Sequence, residues 1–197
     1  MGKRLYISFV LDETGSMQVV KGQTISGFNE YVRTLRSEKN AGDIRFTLTT
    51  FNRAMVRIVH DGVKLDKVKL LTEDNYNPAN LTPLYDAIGR TIRAHEGKAK
   101  KAALIVIQTD GQENASKEFT REGIFSLIDE KKKAGWTFVF LGADQDAWAT
   151  GQLLGLDKGN VKSYASADTK KAFRDVAHGT LSYSSNKGEQ TSDFFAK

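Results

Sequence analysis

Residues 5–16 read LYISFVLDETGS, and this stretch governs both the fold class and the search for a site. Leu5 to Leu11 is a near-continuous apolar run. A strand covered by helices on both faces carries such a run, whereas a strand with one wet face alternates. The run stops at Asp12, and the oxygen-bearing side chains Asp12, Thr14 and Ser16 follow at once.

Outward from this point, apolar runs alternate with segments of helical period. Ile25, Phe28, Val32 and Leu35 recur at spacings of three and four, which predicts a helix with one core-facing stripe. A break at residues 40–43 leads to a strand from Ile44 to Phe51. Asn52-Arg53 predicts a hairpin turn into a strand from Ala54 to His60, antiparallel because so short a link cannot cross over. Val63 to Leu71 reads as a short helix or as irregular chain. Leu84, Ile88 and Ile92 mark a helix entered through Pro83, which suits a first turn. Ala102 to Thr109 is a second strongly apolar strand. Ile124, Leu127 and Ile128 mark a helix, and Thr137 to Leu141 a buried strand. A short helix from Gln145 to about Leu154 and a brief strand from Val161 to Tyr164 follow. Phe173, Val176, Ala177 and Leu181 mark the last helix, with Asp168 as its expected N-cap.

The pattern predicts an α/β, Rossmann-like three-layer sandwich: a mostly parallel central sheet with one antiparallel edge strand and helices on both faces. The expected domain spans residues 1–182. Residues 183–197 are polar, and a loose tail is expected there, held at most by Phe194 and Phe195. The two most buried strands, those ending at Asp12 and Asp110, are expected side by side, with both carboxylates on one rim. Ligands of open sheets of this kind bind beyond the carboxyl ends of the strands.

Composition narrows the chemistry. The 197 residues include no cysteine, which excludes a disulfide framework, a thiolate nucleophile and a cysteine zinc site. Apolar residues make up 40% and charged residues 27%, as in a soluble globular domain. Apolar runs such as Ala102 to Ile107 are far shorter than the ~20 residues a bilayer requires. Lys3 and Arg4 before Leu5 imitate a secretion signal, but the apolar stretch is short and ends on Asp12 without a small-residue cleavage site, so a cytoplasmic location is expected. The net charge of +5 suits acidic partners or nucleic acid, but the plainer reading is favoured, in which the charges serve the fold. Its clusters at Lys98–Lys101 and Lys131–Lys133 fall at helix ends, where cations offset the helix dipole. Neither cluster is interleaved with aromatics, so nucleic-acid binding is not expected.

The candidate site combines Asp12, Thr14 and Ser16 with Thr82, in a loop before a helix, and Asp110, after a strand. Two carboxylates and three hydroxyls, with no thiol or imidazole, suit hard cations such as Mg²⁺, Mn²⁺ or Ca²⁺. Each piece has a plainer reading: Asp12 to Ser16 as a turn, Thr82 as an N-cap, Asp110-Gly111 as a turn after a strand. Asp86, one helical turn beyond Thr82, either supports the loop or caps the helix. Asp144 and Asp146 either line the rim or cap. Glu13 either tunes partner choice or is solvated. His60, His95 and His178 share no motif.

The segment DETGS at 12–16 resembles the D-x-[ST]-G-S motif of von Willebrand factor A (vWA) domains, which opens the metal-ion-dependent adhesion site (MIDAS) of that family. TPLYDA at 82–87 resembles the second segment of the site and TDG at 109–111 the third. The order and spacing are family-like, and the strand–helix plan resembles the family across about residues 3 to 182, in the manner of stand-alone prokaryotic or phage members. Thr14 replaces the commoner Ser and offers the same oxygen. The resemblance implies hydroxyl ligands from Thr14, Ser16 and Thr82, charge from Asp12 and Asp110, and an open coordination position filled by an Asp or Glu of a partner protein. It implies a non-enzymatic binding module, and by analogy a place within complexes or beside an ATPase. The alternatives are a Mg²⁺-dependent phosphatase or phosphotransferase on a similar sheet, whose general acid is missing because position 14 is Thr, and a nucleic-acid-associated protein, suggested by charge alone.

Overall fold

A computed structural model describes residues 4–38, 44–52, 54–98, 102–144 and 146–196. Six strands form one sheet: β1 (Leu5–Asp12), β2 (Ile44–Asn52), β3 (Met55–Lys64), β4 (Ala103–Thr109), β5 (Thr137–Ala143) and β6 (Val161–Tyr164), in the order β3-β2-β1-β4-β5-β6. β1 lies parallel to β2 and β4, β4 to β5, and β5 to β6; β3 pairs antiparallel with β2. The predicted α/β sandwich is therefore the observed one, and the two most apolar strands are neighbours. The Asn52-Arg53 turn and the 40–43 break fall wholly or partly outside the described residues.

Period-two alternation splits the strands between two cores. Ile7, Phe9 and Leu11 of β1, Leu104 and Val106 of β4, and Val139 and Leu141 of β5 face one side. There they meet α1 (Lys21–Arg36) and α5 (Thr169–Ser185). Val10, Ile105, Ile107, Phe138 and Phe140 face the other, against α2 (Leu84–His95), α3 (Arg121–Lys133) and the short α4 (Ala147–Leu153). Phe9 is the hub of the first core, packed edge-on to Phe28 and Tyr31 and stacked on Phe173 at 5.6 Å. Removing such a ring costs about 3–5 kcal/mol. Gly27 of α1 lets Phe173 of α5 approach, because a Cβ there would lie 2.5 Å from the ring.

The segment after β3 holds one short 3₁₀ turn, Leu65–Lys67, and is otherwise irregular. It is pinned by α1: the Arg36 guanidinium donates to the Leu65 and Val68 carbonyls, and the Asn29 amide exchanges two hydrogen bonds with the backbone of Leu71. β3 is an edge strand with Met55, Ile58 and Val59 partly open to solvent, and its register against β2 shifts twice between Phe46 and Thr49.

Two local expectations hold only in part. Asp168 occupies the N-cap position of α5 but makes no side-chain capping bond, since its backbone is not in the extended conformation that aims a cap at the helix. The segment after α5 is tied down by Phe194, as expected, and also by hydrogen bonds that the sequence did not suggest. Phe194 is buried over Gly179, and the Asn160 side chain clasps the strap by accepting from Phe194 N and donating to the Thr191 carbonyl. The basic clusters are neutralised locally. Lys98 pairs with Asp61, Lys131 with Glu96, Lys132 with Asp157 and Lys133 with Asp129; residues 99–101 lie outside the described residues.

Candidate metal centre

β1 is the point where the sheet reverses its order of filling. The chain moves from β1 to β2 on one side, then returns to place β4 on the other. Beyond the carboxyl ends of such a strand pair the two connections diverge and leave a crevice. The register sets Leu11 against Gln108, so Asp12 stands level with Thr109 and both strands release their loops at the same height.

All five candidate residues gather at this crevice. Ser16 Oγ donates to Asp110 Oδ1 at 2.6 Å, and Thr14 Oγ1 lies 3.3 Å from Ser16 Oγ. Asp12 Oδ1 accepts from Thr14 N at 2.7 Å, while Asp12 Oδ2 accepts from Thr109 Oγ1. Thr82 is delivered by the loop before α2. A Cβ built on Gly111 would lie 3.0 Å from Thr82 Oγ1 and 3.9 Å from Ser16 Oγ, so both hydroxyls border the same glycine.

The loops are held from behind by groups that carry no local sequence signal. Glu13 is buried, not solvated: it accepts from Asn77 N at 2.7 Å and pairs with Arg57 at 3.4 Å. With Gly15 N donating to the Asn80 carbonyl and Ala79 N to that of Glu13, it ties the Asp12–Ser16 loop to the loop that brings Thr82. Asn80 sits at φ 66°, a conformation asparagine tolerates better than most residues. Tyr76 Oη donates to the Asp12 carbonyl at 2.6 Å. Thr82 N donates to Asn114 Oδ1, and Asn114 N to the Thr82 carbonyl, joining the second and third segments. Asp86 is also buried; its carboxylate accepts the backbone N–H groups of Lys117, Glu118 and Phe119, which fixes the loop after Asp110. It supports the loop and does not cap α2.

Burial pushes the Asp12 carboxyl up to about 7, with the Asp110 charge adding to the rise and the bonds from Thr109 and Thr14 opposing it. Burial also raises Asp110, with Asp144 contributing. Neither carboxylate forms an ion pair with a basic side chain among the described residues. Two converging acids without a counter-charge, lined by hydroxyls, are a donor set that fits a hard dication. Among the described residues no three His, Cys, Asp or Glu side chains group as a metal site, so any cation here relies on hydroxyl oxygens as well.

No family model matches the chain, and no curated protein matches it in sequence. Solved structures do. The vWF domain of the type V pili tip protein Mfa5 from Porphyromonas gingivalis matches with a TM-score of 0.71 at 11% identity, over 93% of this chain and 97% of that one. The chain has the von Willebrand factor A fold. Proximal thread matrix protein 1 from the mussel byssus, in a structure whose MIDAS motif is occupied by zinc, matches with a TM-score of 0.67 at 13% identity, over 88% of this chain and 47% of that one. A von Willebrand factor type A protein from Catenulispora acidiphila matches with a TM-score of 0.62 at 12% identity, over 91% of this chain and 43% of that one. The chain thus spans about half the length of the mussel protein.

The remaining candidates take ordinary places in the vWA frame. Asp144, at φ 49°, accepts from Ser166 N and Oγ on the rim, whereas Asp146 caps α4 through Ala149 N. His95 is buried against Ser8 Oγ, His60 accepts from Lys69 N, and His178 is exposed on α5. Thr109 and Gly111 enter the sequence reading only as parts of the TDG segment, without a role of their own. The β1–β4 register alone would have found Thr109, once known, because it faces Asp12.

Proposed function

We propose that this vWA chain is a divalent-cation-dependent protein-binding module. Asp12, Thr14, Ser16, Thr82 and Asp110 would hold the cation. The bound cation would supply an electrophilic position that accepts a carboxylate oxygen from an Asp or Glu of a partner protein. The observation that carries this reading is the convergence of a fully buried Asp12 and of Asp110 on three hydroxyls, with no basic side chain among the described residues paired to either acid.

The residues divide the work. Thr14 N and Thr109 Oγ1 hold the two oxygens of Asp12 in place, and Asp110 orients the Ser16 hydroxyl. Two carboxylates neutralise a dication and leave hydroxyls for the other protein positions, so the cation keeps attraction for an external acid. Oxygen donors favour Mg²⁺, Mn²⁺ or Ca²⁺. The zinc in the mussel protein's MIDAS makes Zn²⁺ a further ion to try.

Calorimetric titration with each of these ions tests the first half of the reading, and affinity capture from the native cell with and without EDTA tests the second. Cation binding that vanishes in Asp110→Ala, together with partners released by EDTA, is the expected outcome. If no divalent ion associates with the wild-type chain, the reading is wrong.

A further inference from the structure

α5 breaks an electrostatic rule. Its first turn holds no acidic residue but carries Lys170 and Lys171. Cations at a helix N-terminus oppose the dipole and are disfavoured. Arg174 follows one turn later on the same side of the helix. All three side chains are exposed, and among the described residues none makes an ion pair or a side-chain hydrogen bond. Elsewhere Lys98, Lys131, Lys132, Lys133 and Lys162 are each paired with an acid, and the exposed Arg33, Lys64 and Lys69 do not stand in the first turn of a helix. The nearby Asp175 is taken by Lys162, and Asp168 makes no side-chain bond to the helix. An unneutralised basic stripe in a locally disfavoured position points to a use outside the fold.

Its position says which use. α5 follows the parallel strand β6, so it starts at the same rim as the candidate metal centre. α1 starts there too and runs parallel to α5, as the pairing of Gly27 with Phe173 and of Tyr31 with Thr180 shows. Hydrogen bonds tie the start of the stripe to the rim. Asp144, just after β5, is bonded to Ser166; Thr169 Oγ1 donates to the Ser166 carbonyl; Lys170 comes next in the chain. We infer that Lys170, Lys171 and Arg174 form a docking stripe for an acidic segment of the partner protein, flanking the carboxylate taken by the cation. The inference rests on the proposed reading of the site and adds the chemistry of the partner: a run of several acids, one for the cation and the others for α5.

The probe is a fluorescein-labelled peptide of about twelve residues rich in Glu, followed by anisotropy in Mg²⁺ and in EDTA. A peptide of equal length with a single Glu among Gly and Ser, and an oligothymidylate of equal charge, serve as comparisons. The variant is K170E/K171E/R174E, and the control is R33E/K64E/K69E, which changes net charge equally at other exposed positions. The stripe variant should lose tenfold or more in affinity for the Glu-rich peptide and show a shallower salt dependence. It should bind the single-Glu peptide as the wild type does, while the control keeps most of its affinity for both. An unchanged melting temperature separates lost docking from lost folding. Stripe-dependent binding that persists in EDTA supports the stripe while counting against the cation reading. Binding that needs Mg²⁺ but ignores the stripe variant overturns the stripe alone. Equal loss in the control, tighter binding of the oligonucleotide, or no binding of the Glu-rich peptide in either buffer also overturns it.

Discussion

Ser16 Oγ donates to Asp110 Oδ1 at 2.6 Å, joining residues 94 positions apart at the mouth of the β1–β4 crevice. Each orients the other, so truncating either should damage cation binding more than folding. Ser16→Ala is expected to lower Mg²⁺ affinity about tenfold, equivalent to about 1.4 kcal/mol, and Asp110→Ala to abolish it. Ser16 is exposed and Asp110 partly exposed, so their melting temperatures without metal should stay near that of the wild type. Calorimetry paired with thermal melts reads both effects; an Asp110→Ala protein that still takes up Mg²⁺ normally would remove Asp110 from the ligand set.

Asp12 is wholly buried without a basic partner among the described residues, which makes its charge a burden on the metal-free fold. Asp12→Asn removes that charge while preserving shape. In EDTA at pH 8 the variant should resist urea at least as well as the wild type. On adding Mg²⁺ to about a hundred times its Kd, the wild type should gain about 2.7 kcal/mol and the variant nothing. A variant that is weaker in EDTA yet still responds to Mg²⁺ would mean that Asp12 is only a structural turn residue.

Gly111 is the narrow point between Thr82 and the Asp110 loop. A methyl group there meets Thr82 Oγ1 at 3.0 Å, closer than nearly all real contacts. Gly111→Ala should therefore push the Thr82 hydroxyl aside and weaken cation binding several-fold, with less than about 1 kcal/mol lost in stability. Gly111→Ala/Thr82→Ser keeps the oxygen but loses the branching that restricts its rotation, so the hydroxyl can turn from the new methyl and part of the affinity should return.

His95 supplies a pH signature independent of the metal. Burial, aided by the Lys98 charge, lowers it from an unfolded value near 6.5 to about 4. Between these values the unfolded chain binds more protons than the folded one, so stability is fully present above about 6.5 and is lost as pH falls toward 4. The loss from this group amounts to about 3 kcal/mol. Subtracting the urea stability of His95→Gln from that of the wild type across this range isolates it. A flat difference curve would mean that His95 is protonated within the fold.

Much of this architecture was legible from the chain. The near-continuous apolar runs of β1 and β4 point to cover on both faces, and their equal character predicts their adjacency. Oxygen donors after each run then fall on one rim without further assumption. What could not be read depends on distant partners. Glu13 looks solvated beside Asp12, yet the Asn77 amide and Arg57 draw it inside. Asp86 could equally have capped its own helix; only the arrival of the 117–119 backbone decides that it grips a loop. The strap after α5 has a polar composition that suggests a loose end. It is ordered because Asn160 and the gap above Gly179 receive it, and both lie on other elements. Asp168 shows the converse, a favourable capping residue whose backbone points its side chain away from the task.

The two register shifts in β3 bear on how the molecule survives at high concentration. A straight border strand with Met55, Ile58 and Val59 outward would invite another molecule to zip along it and seed fibres. The shifts kink the row of outward amides and carbonyls, and Arg57, Asp61 and Lys64 punctuate it with charge. Straightening that border by deleting a bulge residue would make a neater sheet and a stickier protein.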